Sequence, residues 1–185
     1  MAFTLLITTA YLKEVTIIEK NVDDKLLVPC IRIAQYTRLI EVMGEKLLNK
    51  FMSIVKNDEL DSYPEYKELL NDYIKPCLSE WSLFEAIPYL NYKLENGSIV
   101  TKKTDSSDPI DLNVVKFLQS NVTDSAEFLS ERLTKQLQYN RTKFPEYCTE
   151  DCSQVSPNES NYTTSIYLED YNYHNIKNRY EHKRQ

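Results

Sequence analysis

The residues of this chain that could do chemistry are few and scattered. Its metal-ligand and nucleophile candidates are four cysteines (Cys30, Cys77, Cys148, Cys152) and two histidines (His174, His182). Cys148 and Cys152 are separated by three residues with no second pair nearby, whereas a zinc centre usually needs four ligands at closer spacing. Cys30 and Cys77 fall within apolar helical patterns, where a thiol is ordinarily a small buried hydrophobe. The acid pairs Asp23-Asp24 and Glu150-Asp151 could do acid–base work. At a helix start and in a polar tail, such pairs more often serve as dipole partners or solvated charge. Both histidines lie near the C-terminus without a nucleophile beside them, and the single Trp81 sits at helical spacing among apolar residues, as a core residue does. There is no Gly-rich phosphate loop, no Gly-x-Ser-x-Gly elbow and no His-Glu-x-x-His. The expectation is a protein without a catalytic centre, metal or cofactor.

Composition agrees with that expectation. Apolar residues make up 42% of the 185 residues and charged residues 27%, as in one globular domain with an appendage. Only two glycines occur, and both sheet-rich folds and phosphate loops consume glycine. The net charge of −6 disfavours a protein that grips nucleic acid, since neutralising phosphates takes clustered positive charge. It does not disfavour one that surrounds DNA without holding it. No apolar stretch is long enough for a membrane span. The opening Met1-to-Ala10 run lacks a positive n-region, so a signal peptide is not expected. Five Asn-x-Ser/Thr triplets carry little weight in so Asn- and Ser/Thr-rich a chain.

The elements that must position any site read as mainly helical. Thr8 and Thr9 cap a short turn ending near Val15, and Thr16-Ile17-Ile18-Glu19 reads as extended. Asn21-Val22-Asp23-Asp24 opens a helix with the stripe Leu26, Leu27, Cys30, Ile31, Ala34, Thr37, Ile40. Pro29 must kink this helix or fall in its first turns, and Gly44 closes it in a left-handed conformation. Leu47, Leu48, Phe51, Met52 and Val55 form the next stripe. Ser62 and Pro64 then read as a cap and an early helical proline. A long helix follows to about Tyr89, kinked at Pro76 and weakening at Pro88. Asn96-Gly97 between Tyr92–Glu95 and Ser98–Thr101 signals a projecting β-hairpin over about residues 91–102. From Asp111 a last helix carries Leu112, Val115, Leu118, Val122, Ala126, Leu129, Leu133 and Leu137, with a break at Asn121–Asp124 and an end near Asn140 and Pro145.

After Pro145 helical periodicity stops and tyrosines accumulate: Tyr147, Tyr162, Tyr167, Tyr171, Tyr173 and Tyr180. Thr163–Leu168 is strand-like and the last stretch, Lys177 to Arg184, is mildly basic. Such a segment cannot bury itself alone, and tyrosine offers rigid amphipathic contact area. The predicted organisation is therefore a helical bundle over 1–147 and an extended or partner-ordered arm over 148–185. The predicted partner contacts are Lys93, Asn96, Gly97 and Ile99 on the hairpin, with Tyr162, Ile166, Tyr167, Leu168, Tyr171 and Tyr173 on the arm.

The order of these signals is distinctive. Leu6-Ile7-Thr8-Thr9-x-x-Leu12 precedes the acidic cap at Asn21–Asp24, then a helix holding Ile33-Ala34-Gln35 and ending at Met43-Gly44. Tyr63-Pro64-x-Tyr66-x-x-Leu69-Leu70, the Asn96-Gly97 turn and Tyr139-Asn140-x-x-x-Phe144-Pro145-Glu146 complete it. Over about residues 5–147 the chain resembles the head–tail connector (adaptor or ring) proteins of tailed phages, in the form found in crAss-like and other Bacteroidetes phages. That resemblance implies a helical subunit of the virion neck, made in the host cytoplasm and assembled in twelve copies into a ring. The ring would join the portal to further neck or tail proteins and continue a channel through which DNA passes without specific binding. A cytoplasmic helical protein whose tyrosine-rich arm captures one partner is the alternative. A small metal-dependent hydrolase or nuclease would need converging carboxylates.

Overall fold

The computed structural model describes residues 3–95, 98–101, 112–147 and 155–158, and it is mainly helical. Helix α1 (Thr9–Val15) starts at Thr8, whose side chain accepts a hydrogen bond from the Tyr11 amide. Thr16 ends it by sending both its amide and its hydroxyl to the Leu12 carbonyl. Asp23 caps α2 (Asp24–Ala34) through the Lys25 amide, while Lys13 reaches across from α1 to Asp24 at 2.6 Å. Pro29 neither stops α2 nor falls in its first turn. It lies on the exposed side, where the carbonyl it leaves without a helical donor can meet water.

The chain runs from α2 through a wide π turn, Gln35–Leu39, into α3 (Ile40–Met43). Gln35 explains why the N-terminal segment stays down. Fully buried, it accepts from the Leu6 amide at 3.0 Å and donates to the Thr4 carbonyl at 3.1 Å. Gly44 then turns the chain into α4 (Glu45–Lys56) with φ 77° and ψ 156°. That is not the left-handed helical cap expected from the sequence but a more extended positive-φ conformation, which essentially only glycine adopts. Leu47, Leu48, Phe51 and Ile54 bury the inner face of α4, with Met52 and Val55 packed beside them.

Tyr63, rather than Ser62, stands at the start of α5 (Pro64–Leu69), and it makes no side-chain cap. Pro64 pushes the residue before it out of the helical region, so the boundary falls one residue later than expected. A second π turn, Leu70–Ile74, joins α5 to α6 (Lys75–Asn91). The Lys75 amide reaches back five residues to the Leu70 carbonyl. This widening lets Pro76, which lacks a donor and whose ring crowds the preceding turn, continue the helix.

Strands β1 (Tyr92–Glu95) and β2 (Ser98–Thr101) pair antiparallel, with Tyr92 opposite Thr101 and Glu95 opposite Ser98. Helix α7 (Leu112–Tyr139) then runs unbroken through Asn121–Asp124, contrary to the expected interruption. Asn121 and Asp124 face solvent, and Thr123 returns its hydroxyl to the Gln119 carbonyl inside the helix. Burial of Val115, Ala126, Leu133 and Leu137 outweighs the weak local turn preference. Helix α6 packs against both α2 and α7 and so forms the middle of the bundle. One continuous core joins Leu12, Leu27, Ile31, Phe51, Ile74, Leu78 and Leu133.

After α7 the chain folds back across α5. Phe144 packs edge-on against Tyr66, whose ring also meets Phe51 and Tyr63. The Tyr66 hydroxyl donates to the Glu146 carboxylate at 2.7 Å.

Candidate functional site: an association surface

The groups able to do chemistry in the described body are engaged in holding it together. Between α6 and α7 the Ser130 hydroxyl accepts from the Trp81 indole at 2.8 Å, donates to the Ala126 carbonyl, and lies 3.4 Å from the Cys77 sulfur. A serine, a thiol and an indole meet here without a base. Burial pushes the Cys77 thiol up to about 11, so it stays protonated and a poor nucleophile. Cys30 is likewise raised to about 11, by burial first and by the charge of Glu85 second. Trp81 is a core residue, with the Arg38 guanidinium 4.5 Å from its ring centroid. Among the described residues no group of three or more His, Cys, Asp or Glu could hold a metal, and no helix is long and apolar enough to cross a membrane.

The residues that the sequence marked for partner contact are placed unevenly. Lys93 lies opposite Val100 in the strand ladder, and Ile99 opposite Leu94. Asn96, Gly97, Tyr162, Ile166, Tyr167, Leu168, Tyr171 and Tyr173 lie outside the described residues, as do Cys148, Cys152, His174, His182, Glu150 and Asp151.

What the body offers instead is exposed apolar surface. An open groove of about 700 Å³ lies between the α1–α2 connection, the C-terminal half of α6 and α7. Ile17, Ile18, Val22 and Leu26 form one wall, Leu83, Ile87 and Leu90 another, and Leu118 a third, with Glu19 and Asp23 at its edge. Ile18 turns into the core while its neighbour Ile17 is 79% exposed. The chain bends at Thr16 and Ile17 rather than running as a strand over 16–19, and the Ile18 amide donates to the Thr16 hydroxyl at the bend. Leu118, which periodicity assigns to the buried stripe of α7, is instead partly exposed in this groove.

Further apolar side chains are exposed on α7, beside the groove at Val114 and Phe117 and, beyond the solvent-facing Asn121 and Asp124, at Phe128. Val114, Phe117 and Phe128 are spaced three and eleven residues apart, which keeps them near one stripe of the helix. Phe117 is 64% exposed and Phe128 67%. Aromatic rings left outward on a helix are the kind of side chain that marks protein association. The signal for it was present in the sequence, since both phenylalanines fall off the buried stripe of α7.

A third feature is a strap. Residues 155–158, which the sequence assigns to the arm, lie against the elbow between α3 and α4. The Val155 carbonyl accepts from the Glu45 amide at 3.0 Å, at the start of α4. The Asn158 amide donates to the Glu41 carbonyl at 2.7 Å, in the last turn of α3. One short segment thus satisfies an orphan donor of one helix and an orphan acceptor of the other. Between these bonds Pro157 is buried.

Residues 39–157 match the model of DUF6712, a family of unknown function. Neither the comparison with curated proteins nor that with solved structures finds a match.

Proposed function

We propose, from the premise that this chain belongs to the DUF6712 family, that it is a structural subunit of the phage neck. In this reading it forms an oligomeric ring that joins the portal to the tail and continues the DNA channel. The observation that carries the proposal is the exposed apolar surface of the groove at Ile17 and Leu118 with the neighbouring Val114 and Phe117 of α7, and the separate outward ring of Phe128. A ring needs heterologous interfaces, in which one face of each copy meets a different face of the next. A groove and an aromatic ridge on one body fit that need. The ordered motifs from Leu6 to Glu146 and their resemblance to connector proteins support the same reading.

The strap gives the arm a fixed starting point on the α3–α4 elbow, from which residues 159–185 would add contact area between copies. In this reading the β1–β2 hairpin is a second contact element, through which Lys93, Asn96, Gly97 and Ile99 would meet the portal or the next neck protein. With a net charge of −6, the assembled subunits repel rather than hold the DNA that slides through them. Purified virions test the assignment. The protein is expected there in a fixed ratio to the portal, and its absence from virions despite expression would favour a cytoplasmic protein with a single partner.

A further inference from the structure

We infer that the groove between the α1–α2 connection, α6 and α7 receives the basic C-terminal end, residues 176–185, of a neighbouring copy. The inference rests on the ring reading and says which surfaces make the contact.

Three observations converge on this occupant. The first is reach. The strap pins the chain at Asn158 to the Glu41 carbonyl, and residues 159–185 follow. Drawn out at about 3.3 Å per residue, that length spans on the order of 90 Å. A body of this size has a radius of gyration of about 15 Å, so the end can pass beyond its own body to the next.

The second is chemistry. Lys177, Arg179, Lys183 and Arg184 face only Glu181 in the last nine residues, in a chain whose net charge is −6. The end is a basic piece attached to an acidic protein. Ile176 and Tyr180 lie four apart within it, supplying apolar side chains for a groove walled by Ile17, Leu83, Ile87 and Leu118. Glu19 and Asp23 at the groove edge supply the opposite charge. Aromatic anchors between cations suit an apolar slot with an acidic rim.

The third is continuity. The groove wall at Leu118 runs directly into the outward residues Phe117 and Val114 of α7. A tail folded back onto its own body would fill the groove and leave that ridge bare. A neighbouring body that brings its tail covers both. Repeated from copy to copy, the contact is head-to-tail, as ring closure requires.

The test uses full-length chains in native mass spectrometry and sedimentation. One variant carries Ile17→Asp with Leu118→Asp, blocking the groove. The other carries Lys177→Glu, Arg179→Glu, Lys183→Glu and Arg184→Glu, spoiling the tail. Circular dichroism checks that both stay folded, and Ile17→Ser with Leu118→Ser replaces the first pair if they do not. Wild type is expected to self-associate, and each variant alone to associate at least about tenfold more weakly. An equimolar mixture is expected to form a one-to-one pair and stop, because only one intact groove and one intact tail meet. Variants that assemble as wild type does would overturn the inference and leave the ring reading standing. Weakened variants whose mixture stays unpaired would place the tail in its own groove and overturn it. A wild type that never self-associates, with or without portal, would overturn both.

Discussion

Gly44 and Pro157 are in such close approach that a Cβ on the glycine would lie 2.9 Å from the proline Cδ. The same Cβ would meet the Pro157 nitrogen and the Val155 carbonyl oxygen at 3.3 Å. The positive φ of the elbow and the seating of the strap thus both depend on glycine at position 44.

Gly44→Ala should therefore do more than strain a turn. The conformational penalty alone is about 1–3 kcal/mol, and the steric conflict falls on the ring and backbone of the strap. A lower urea midpoint is expected, with faster hydrogen exchange at the Asn158 and Glu45 amides. Pro157→Ala, which removes the crowded Cδ, should partly restore both in the double variant. Exchange at those amides unchanged from wild type in Gly44→Ala would show that the strap does not depend on the elbow.

This relationship also marks how far the sequence could be read. The caps at Thr8 and Asp23 and the stripe of α4 were legible, because capping and amphipathic spacing are local. The two π turns were not. Gln35 ends the Ile33-Ala34-Gln35 run of a helical pattern, but nothing local shows that its amide pins Thr4 and Leu6. Asn121–Asp124 reads locally as a break because its side chains favour turns, whereas the packing of Val115 and Ala126 on either side, which holds the helix, is not local. The groove joins residues 17–26, 83–90 and 118, a juxtaposition that periodicity cannot express. The α7 ridge could have been found, since an off-stripe phenylalanine is visible in a helical pattern.

Gln35→Leu tests the clasp on the N-terminal segment. Leucine preserves much of the volume but leaves the Leu6 amide and Thr4 carbonyl without their partner. A buried polar group left unpaired costs about 1–3 kcal/mol. Urea denaturation should show a loss of that size, and a neutral result would mean that the segment re-pairs elsewhere.

Tyr66 supplies a pH dependence. Burial first, and the hydrogen bond to Glu146 second, raise its phenol above the usual 10.0. The folded state thus keeps a proton that the unfolded state releases above pH 10. With fewer protons bound in the unfolded state, stability falls as pH rises through that region. Tyr66→Phe should lose about 0.5–1.5 kcal/mol at neutral pH and show a shallower decline above pH 10. An identical slope in both proteins would contradict the assignment to Tyr66.

The α7 ridge predicts an association defect without a folding defect. Phe117→Asp and Phe128→Asp alter side chains already turned to solvent, where substitutions usually change stability by about 0.5 kcal/mol or less. Thermal melting should stay near wild type while sedimentation shifts toward the monomer. Loss of folding together with association would instead assign these rings a role in the body.

The most direct test of the neck assignment is electron microscopy of the full-length protein mixed with a portal protein from the phage that encodes it. The account predicts a closed ring of this chain seated coaxially on the portal. A protein that remains monomeric and leaves the portal bare, at concentrations where both are folded, would contradict it.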